Sequence, residues 1–121
     1  MRYELSQRFF FDAAHSLKRS IDTVGSARVH GHTYSAEVAV VGTPDEATGM
    51  VVDLGILRQA VESVRLRLDH QLLDEIGGLD APTLERLCLF VHSSLKDLGI
   101  HASRVSVWRE GIGDRCELRT D

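Results

Sequence analysis

Apolar and polar positions alternate imperfectly over residues 2–13, where Tyr3, Phe9, Phe10 and Phe11 supply most of the bulk, and this pattern predicts a β-strand whose far end delivers His15. Residues 16–29 hold Ser, Asp, Thr and Gly without a period and read as a long loop, a feature that in compact domains is often functional. A second strand is predicted over 30–41, ended by the turn composition Gly42-Thr43-Pro44-Asp45. The period then changes. Leu54, Leu57, Val61, Val64 and Leu68 recur at spacings of three and four behind Asp53, which predicts a helix with Asp53 as its N-cap. Gly77-Gly78 and Ala81-Pro82 break the chain before a second helix, capped by Thr83, with Glu85 in its positive first turn. That helix carries the stripe Leu84, Leu87, Cys88, Val91, Leu95, Leu98 and stops at Gly99. Residues 104–110 and 114–119 read as two strands joined by Gly111-Ile112-Gly113.

The order β-β-α-α-β-β, with paired strands at both ends and helices between, predicts an α+β fold: an antiparallel sheet with two helices on one face. Such a sheet leaves open edges, and joining neighbouring subunits into a closed barrel is one way to cover them, so a homo-oligomer is expected. Residues 1–121 read as a single domain, a length that buries about two-thirds of the unfolded surface without a covalent staple.

A net charge of -4 with no basic block argues against a general nucleic-acid or membrane-surface binder, since nothing would neutralise a run of phosphates. The charged start Met1-Arg2-Tyr3-Glu4-Leu5 lacks the apolar core of a secretory signal, no segment has the length of a membrane span, and a cytoplasmic location is expected. Cys88 and Cys116 are too few for a disulfide scaffold and read as small core residues.

The candidate chemistry lies in the histidines. In Val29-His30-Gly31-His32-Thr33, an extended backbone puts His30 and His32 on one side, because successive side chains point to opposite faces. His15, from the neighbouring strand, can complete a three-nitrogen site, which for zinc leaves the fourth position open to water or substrate. The same pattern also suits a solvated strand edge.

Phe9-Phe10-Phe11-Asp12-Ala13-Ala14-His15, then His30-Gly31-His32, Leu68-Asp69-His70, Pro82-Thr83-x-Glu85 and Trp108-Arg109-Glu110 follow in an order that resembles the 6-pyruvoyl-tetrahydropterin synthase and 6-carboxy-tetrahydropterin synthase family, zinc enzymes of the tunnelling fold. The resemblance covers nearly the whole chain. It implies His15, His30 and His32 as ligands of a Zn2+ cofactor, a small-molecule pterin as substrate, and a hexamer as the assembly. It also implies Glu110 as the pterin anchor, a role with a physical reason: the ring's amino group and adjacent N–H form a donor pair that a carboxylate accepts bidentately. Thr83 and Glu85 match a segment near the pterin, and helix capping accounts for them equally. Asp69 and His70 match a proton-transferring histidine held by a carboxylate, suited to its task because an imidazole titrates near neutral pH.

One position departs. In the characterised synthases a cysteine four residues before the first histidine of H-x-H is the base at the pterin side chain; here that place is Ser26. An unassisted hydroxyl is a poor base where a thiol is partly ionised, and Asp22 in the same segment has no spacing argument for replacing it. A zinc-dependent, lyase-type pterin enzyme acting on dihydroneopterin triphosphate or a related reduced pterin is therefore expected, with altered side-chain chemistry: retro-aldol cleavage or tautomerisation. The alternatives are a 6-carboxy-tetrahydropterin synthase of deazaguanine (queuosine) biosynthesis in which Ser26 is activated, a non-catalytic pterin-binding protein, and a structural-zinc subunit of a larger assembly. Lys18, Arg19 and Arg28 suit either a triphosphate or solvent.

Overall fold

The computed structural model describes residues 1–16 and 29–120. Its elements are β1 (Tyr3–His15), β2 (His30–Gly42), α1 (Leu54–Leu68), β3 (Gln71–Leu72), α2 (Leu84–Asp97), β4 (Arg104–Arg109) and β5 (Asp114–Arg119), with a single 3₁₀ turn at Leu73–Glu75. The five strands form one sheet in the order β3-β1-β2-β4-β5. The long strands are antiparallel as expected, but β3 is a correction: it pairs in parallel with Ala13 and Ala14 of β1. Two residues carry no period, so only the return of the chain after α1 could place them on that edge. Beyond that pairing, the outer edge of β1 has no neighbour among the described residues, nor does the outer edge of β5. The sheet is open in the single subunit, the condition that predicted closure by other subunits.

Local chemistry explains where the helices begin. The Asp53 carboxylate accepts from the backbone N–H of Gly55 and Ile56, and the Thr83 hydroxyl accepts from that of Arg86 at 3.1 Å. The helices share one face of the sheet, α1 against β1 and α2 against β4 and β5. Phe11, Tyr34, Leu57, Leu68, Leu87 and Leu95 are fully buried between the layers, each such side chain contributing about 1.5–3 kcal/mol of burial. Leu54 and Leu98, read as members of the apolar stripes, are exposed: Leu54 opens α1 and Leu98 is the C-cap of α2. Cys88 is buried and Cys116 half-buried, and both are free thiols.

Alternation decides which face the histidines take. In β1 the odd positions Phe9, Phe11, Ala13 and His15 point to the helices, and in β2 the even positions Tyr34, Ala36 and Val38 do. The register pairs Phe11 with Tyr34, Ala13 with His32 and His15 with His30, so aromatic core and histidines form one continuous row. The Phe11 and Tyr34 rings stack at 5.1 Å, and His32 meets the Tyr34 ring edge-on at 5.8 Å.

Candidate active site

At the end of that row the three imidazoles converge. Ring centroids are 4.6 Å apart for His15 and His30, 4.9 Å for His15 and His32, and 5.0 Å for His30 and His32. One donor nitrogen from each lies within 4.8 Å of the others. His15 is only 2% exposed, and neither of its ring nitrogens has a hydrogen-bond partner among the described residues. Buried nitrogens are almost always satisfied, so an orphaned lone pair at a point where three imidazoles meet fits a cation that prefers nitrogen donors. Electrostatics agree. Burial first, then His32, His30 and Arg109, push the His15 pKa down to about 4, with Asp74 opposing. Burial and then Arg109 and His30 lower that of His32 against Asp114. Both rings are therefore neutral at pH 7, the state in which a histidine ligates a metal.

The strand end carrying His15 is tied down. The next residue, Ser16, donates its backbone N–H to Asp74 Oδ1 at 3.0 Å and its hydroxyl to Oδ2 at 2.8 Å. Burial pushes the Asp74 carboxyl upward, but the two bonds from Ser16, its own backbone N–H and the nearby His15 together outweigh it and the net shift is down. Asp74 was not legible in the sequence, because it acts from a turn 58 residues away.

Asp69 and His70 lie beside β1, and here adjacency in sequence is contact in space. His70 Nδ1 donates to Asp69 Oδ2 at 2.9 Å. His70 has φ +58, a left-handed conformation costly for a residue with a Cβ, held by its N–H donating to Asp12 O at 2.6 Å. Asp69 also accepts from the Asp12 N–H at 2.9 Å and from Arg65 at 3.1 Å. These bonds, the Asp12 backbone first, keep its carboxyl below the usual range and hence ionised. Asp12, Thr33, His32, His70 and Gln71 line one open cavity of about 530 Å3, which His32 and His70 share; His15, His30 and Asp69 are not among its lining residues.

The other expected site residues are elsewhere on the subunit. Glu110 follows β4 and accepts from Trp108 Nε1 at 2.9 Å; it lines a separate depression with Arg8, Phe10 and Trp108 on the opposite sheet face. Thr83 caps α2, and Glu85 is exposed in its first turn. None of the three lines the cavity of His32 and His70. Ser26, Asp22, Lys18, Arg19 and Arg28 lie outside the described residues. Among the described residues no helix is long and apolar enough to cross a membrane.

The model of the family described as 6-pyruvoyl tetrahydropterin synthase matches residues 4–121. A putative 6-carboxy-5,6,7,8-tetrahydropterin synthase of Archaeoglobus fulgidus is 37% identical over 97 residues, covering 80% of this chain and 79% of that protein. The dihydroneopterin monophosphate aldolase of Pyrococcus furiosus is 34% identical over 111 residues, covering 89% of this chain and 90% of that protein. The fold is that of the 6-pyruvoyl tetrahydropterin synthase of Caenorhabditis elegans, with a TM-score of 0.85 at 21% identity over 100% of this chain and 97% of that one.

Proposed function

This chain belongs to the 6-pyruvoyl tetrahydropterin synthase family, and from that premise we propose that it is a zinc-dependent lyase that cleaves the side chain of a 7,8-dihydropterin by a retro-aldol step. The observation that carries the reading is the pairing of a formed Asp69–His70 dyad with Ser26 at the place of the family's thiol. A reaction that needs one proton carrier and polarised side-chain oxygens survives that replacement; one that needs a thiolate does not. The near full-length similarity to a protein named as a dihydroneopterin monophosphate aldolase supports the same choice.

His15, His30 and His32 would hold the zinc, which when bound supplies Lewis-acid polarisation of the substrate's side-chain oxygens. Asp69 fixes the proton on His70 Nδ1, leaving Nε2 to accept one. With a dihydroneopterin, His70 takes the proton of the 2′-hydroxyl, the C1′–C2′ bond breaks, and its electron pair enters the C6=N5 imine. Glycolaldehyde, or its phosphate, departs. Return of the proton to C1′ then gives 6-hydroxymethyl-7,8-dihydropterin, so atoms and electrons balance with no further reagent. Glu110 is assigned to the ring's donor pair, a role it could fill only from a neighbouring subunit, because in its own subunit it lies on the sheet face opposite the histidines; Thr83 and Glu85 are assigned no more than the start of α2.

The second reading, a 6-carboxy-tetrahydropterin synthase, is favoured by the Archaeoglobus relative and requires an activated Ser26. The test is to incubate zinc-loaded protein with dihydroneopterin, its monophosphate and its triphosphate, and to identify products by mass. A two-carbon aldehyde with 6-hydroxymethyl-dihydropterin is the expected result. Formation of the 6-carboxy product at an ordinary rate, unaltered in Ser26→Cys, overturns the reading in favour of the second; no product from any of the three overturns both.

A further inference from the structure

Among the described residues, the buried side-chain nitrogens without a partner are all in one place: both ring nitrogens of His15 and Nε of Arg109. They differ in kind. Neutral His15 offers a lone pair, which a metal ion satisfies. Arg109 Nε–H can only donate, and a second cation does nothing for it; only an acceptor, best an anionic one, answers it.

Arg109 ends β4 on the sheet face of Val105 and Val107, the face the histidines share. Its Nη1 donates to His32 Nε2 at 3.4 Å, its Nη2 is ion-paired with Asp114, and the buried Tyr34 hydroxyl accepts from it. The side chain is 18% exposed, so the guanidinium is held against the histidine site rather than left to solvent. Asp114 takes Nη2 and leaves Nε unanswered. A fixed cation beside three imidazoles therefore keeps a donor that no described residue answers, and a guanidinium is suited to oxyanions.

We propose that Arg109 is a specificity-determining residue whose Nε–H donates to an anionic oxygen on the substrate's side chain at the histidine site. The inference rests on the pterin reading and refines it: the substrate carries either a phosphoryl group on its side chain or a hydroxyl that ionises as the C1′–C2′ bond breaks. Both sources present the same chemistry, a negatively charged oxygen.

The experiment uses zinc-loaded wild type, Arg109→Gln and Arg109→Lys. Calorimetry measures binding of inorganic phosphate, dihydroneopterin and dihydroneopterin monophosphate; zinc content and cleavage kinetics are measured in parallel. If the oxygen is phosphoryl, Arg109→Gln weakens the monophosphate by about tenfold or more and leaves dihydroneopterin nearly unchanged. If it is the ionising hydroxyl, both pterins bind as before while kcat falls about tenfold or more at constant KM. Should the glutamine variant not fold, Arg109→Lys carries the test, since it keeps the charge and lacks the Nε–H. Unchanged binding and turnover with zinc retained overturns the proposal, and so does loss of zinc in both variants, which would make Arg109 part of the metal site's construction. Wild type that binds phosphate in an Arg109-dependent way but binds neither pterin leaves the inference standing and sinks the pterin reading. Phosphate binding equal in all three proteins, with neither pterin bound, sinks both.

Discussion

Two polar regions share strands β1, β2 and β4 and differ only in the face they occupy. On the open face, Glu37 accepts from Arg8 Nε and from Arg104 Nη1, both at 2.8 Å, Arg104 reaches Glu4 and Glu117, and the fully buried Ser106 donates to Glu117 at 2.9 Å. On the helix face, His15 and Arg109 keep buried nitrogens with no partner among the described residues. A network whose members satisfy one another has its reason inside the fold; a cluster that leaves buried groups unsatisfied costs stability and has its reason in something the chain binds. Charge density by itself does not distinguish the two, and by composition the open face is the more ionic.

The comparison breaks most visibly at the histidines. His32→Ala should take zinc from close to one ion per chain to none, since two imidazoles hold the ion far less tightly than three, with metal analysis of the purified protein as the measurement. Retention of zinc by that variant would remove the trio from consideration. The dyad comes next. His70→Ala should lower side-chain cleavage by about 10²–10⁴-fold while zinc content stays at the wild-type level, because the substitution removes the proton carrier and leaves the ligands in place. A variant that loses both together would mean that His70 supports the site's structure.

The open face should respond in stability and not in metal. Glu37→Gln takes from Arg104, whose side chain is 16% exposed, its nearest carboxylate and leaves only the longer contacts to Glu4 and Glu117; it should cost about 1–3 kcal/mol in denaturant unfolding at pH 7, with zinc content unchanged. Arg8 exerts the larger pull on the carboxyl but is 75% exposed, so solvent screens most of its share. The pH dependence has a definite sign. The Arg8 and Arg104 hydrogen bonds hold the Glu37 carboxyl below its usual value against the upward push of burial. Its contribution is therefore complete above the unfolded carboxylate pKa, about 4.3, and lost as pH falls through the lower folded one. Wild type and variant should converge in stability once pH is below that folded value, and a gap that persists there would show that packing rather than charge is at stake. The smallest effect belongs to Thr83→Ala, expected to cost about 1 kcal/mol through loss of the α2 cap and to leave pterin affinity alone. A fall in affinity would return Thr83 to the ligand site.

Local rules already in the chain determined a good deal. Period-three and period-four leucines with Asp53 and Thr83 before them marked both helices to the residue at their starts, because caps and stripes are short-range chemistry. Alternation put His30 and His32 on one side of a strand, and the ordered motifs from Phe9 to Glu110 identified the family and its fold. What required the tertiary structure was everything settled by register and by burial. The pairing of His15 with His30 follows from a 13-residue register between β1 and β2, and no local pattern states it. The parallel β3, the hold of Asp74 on Ser16, and the clamp of Asp12 on His70 and Asp69 join residues roughly 60 apart in sequence, where no periodicity reaches. Arg109 was visible only as a letter between Trp108 and Glu110; that its Nε is buried and unanswered among the described residues is a property of what surrounds it, and burial is decided by the whole chain folding at once.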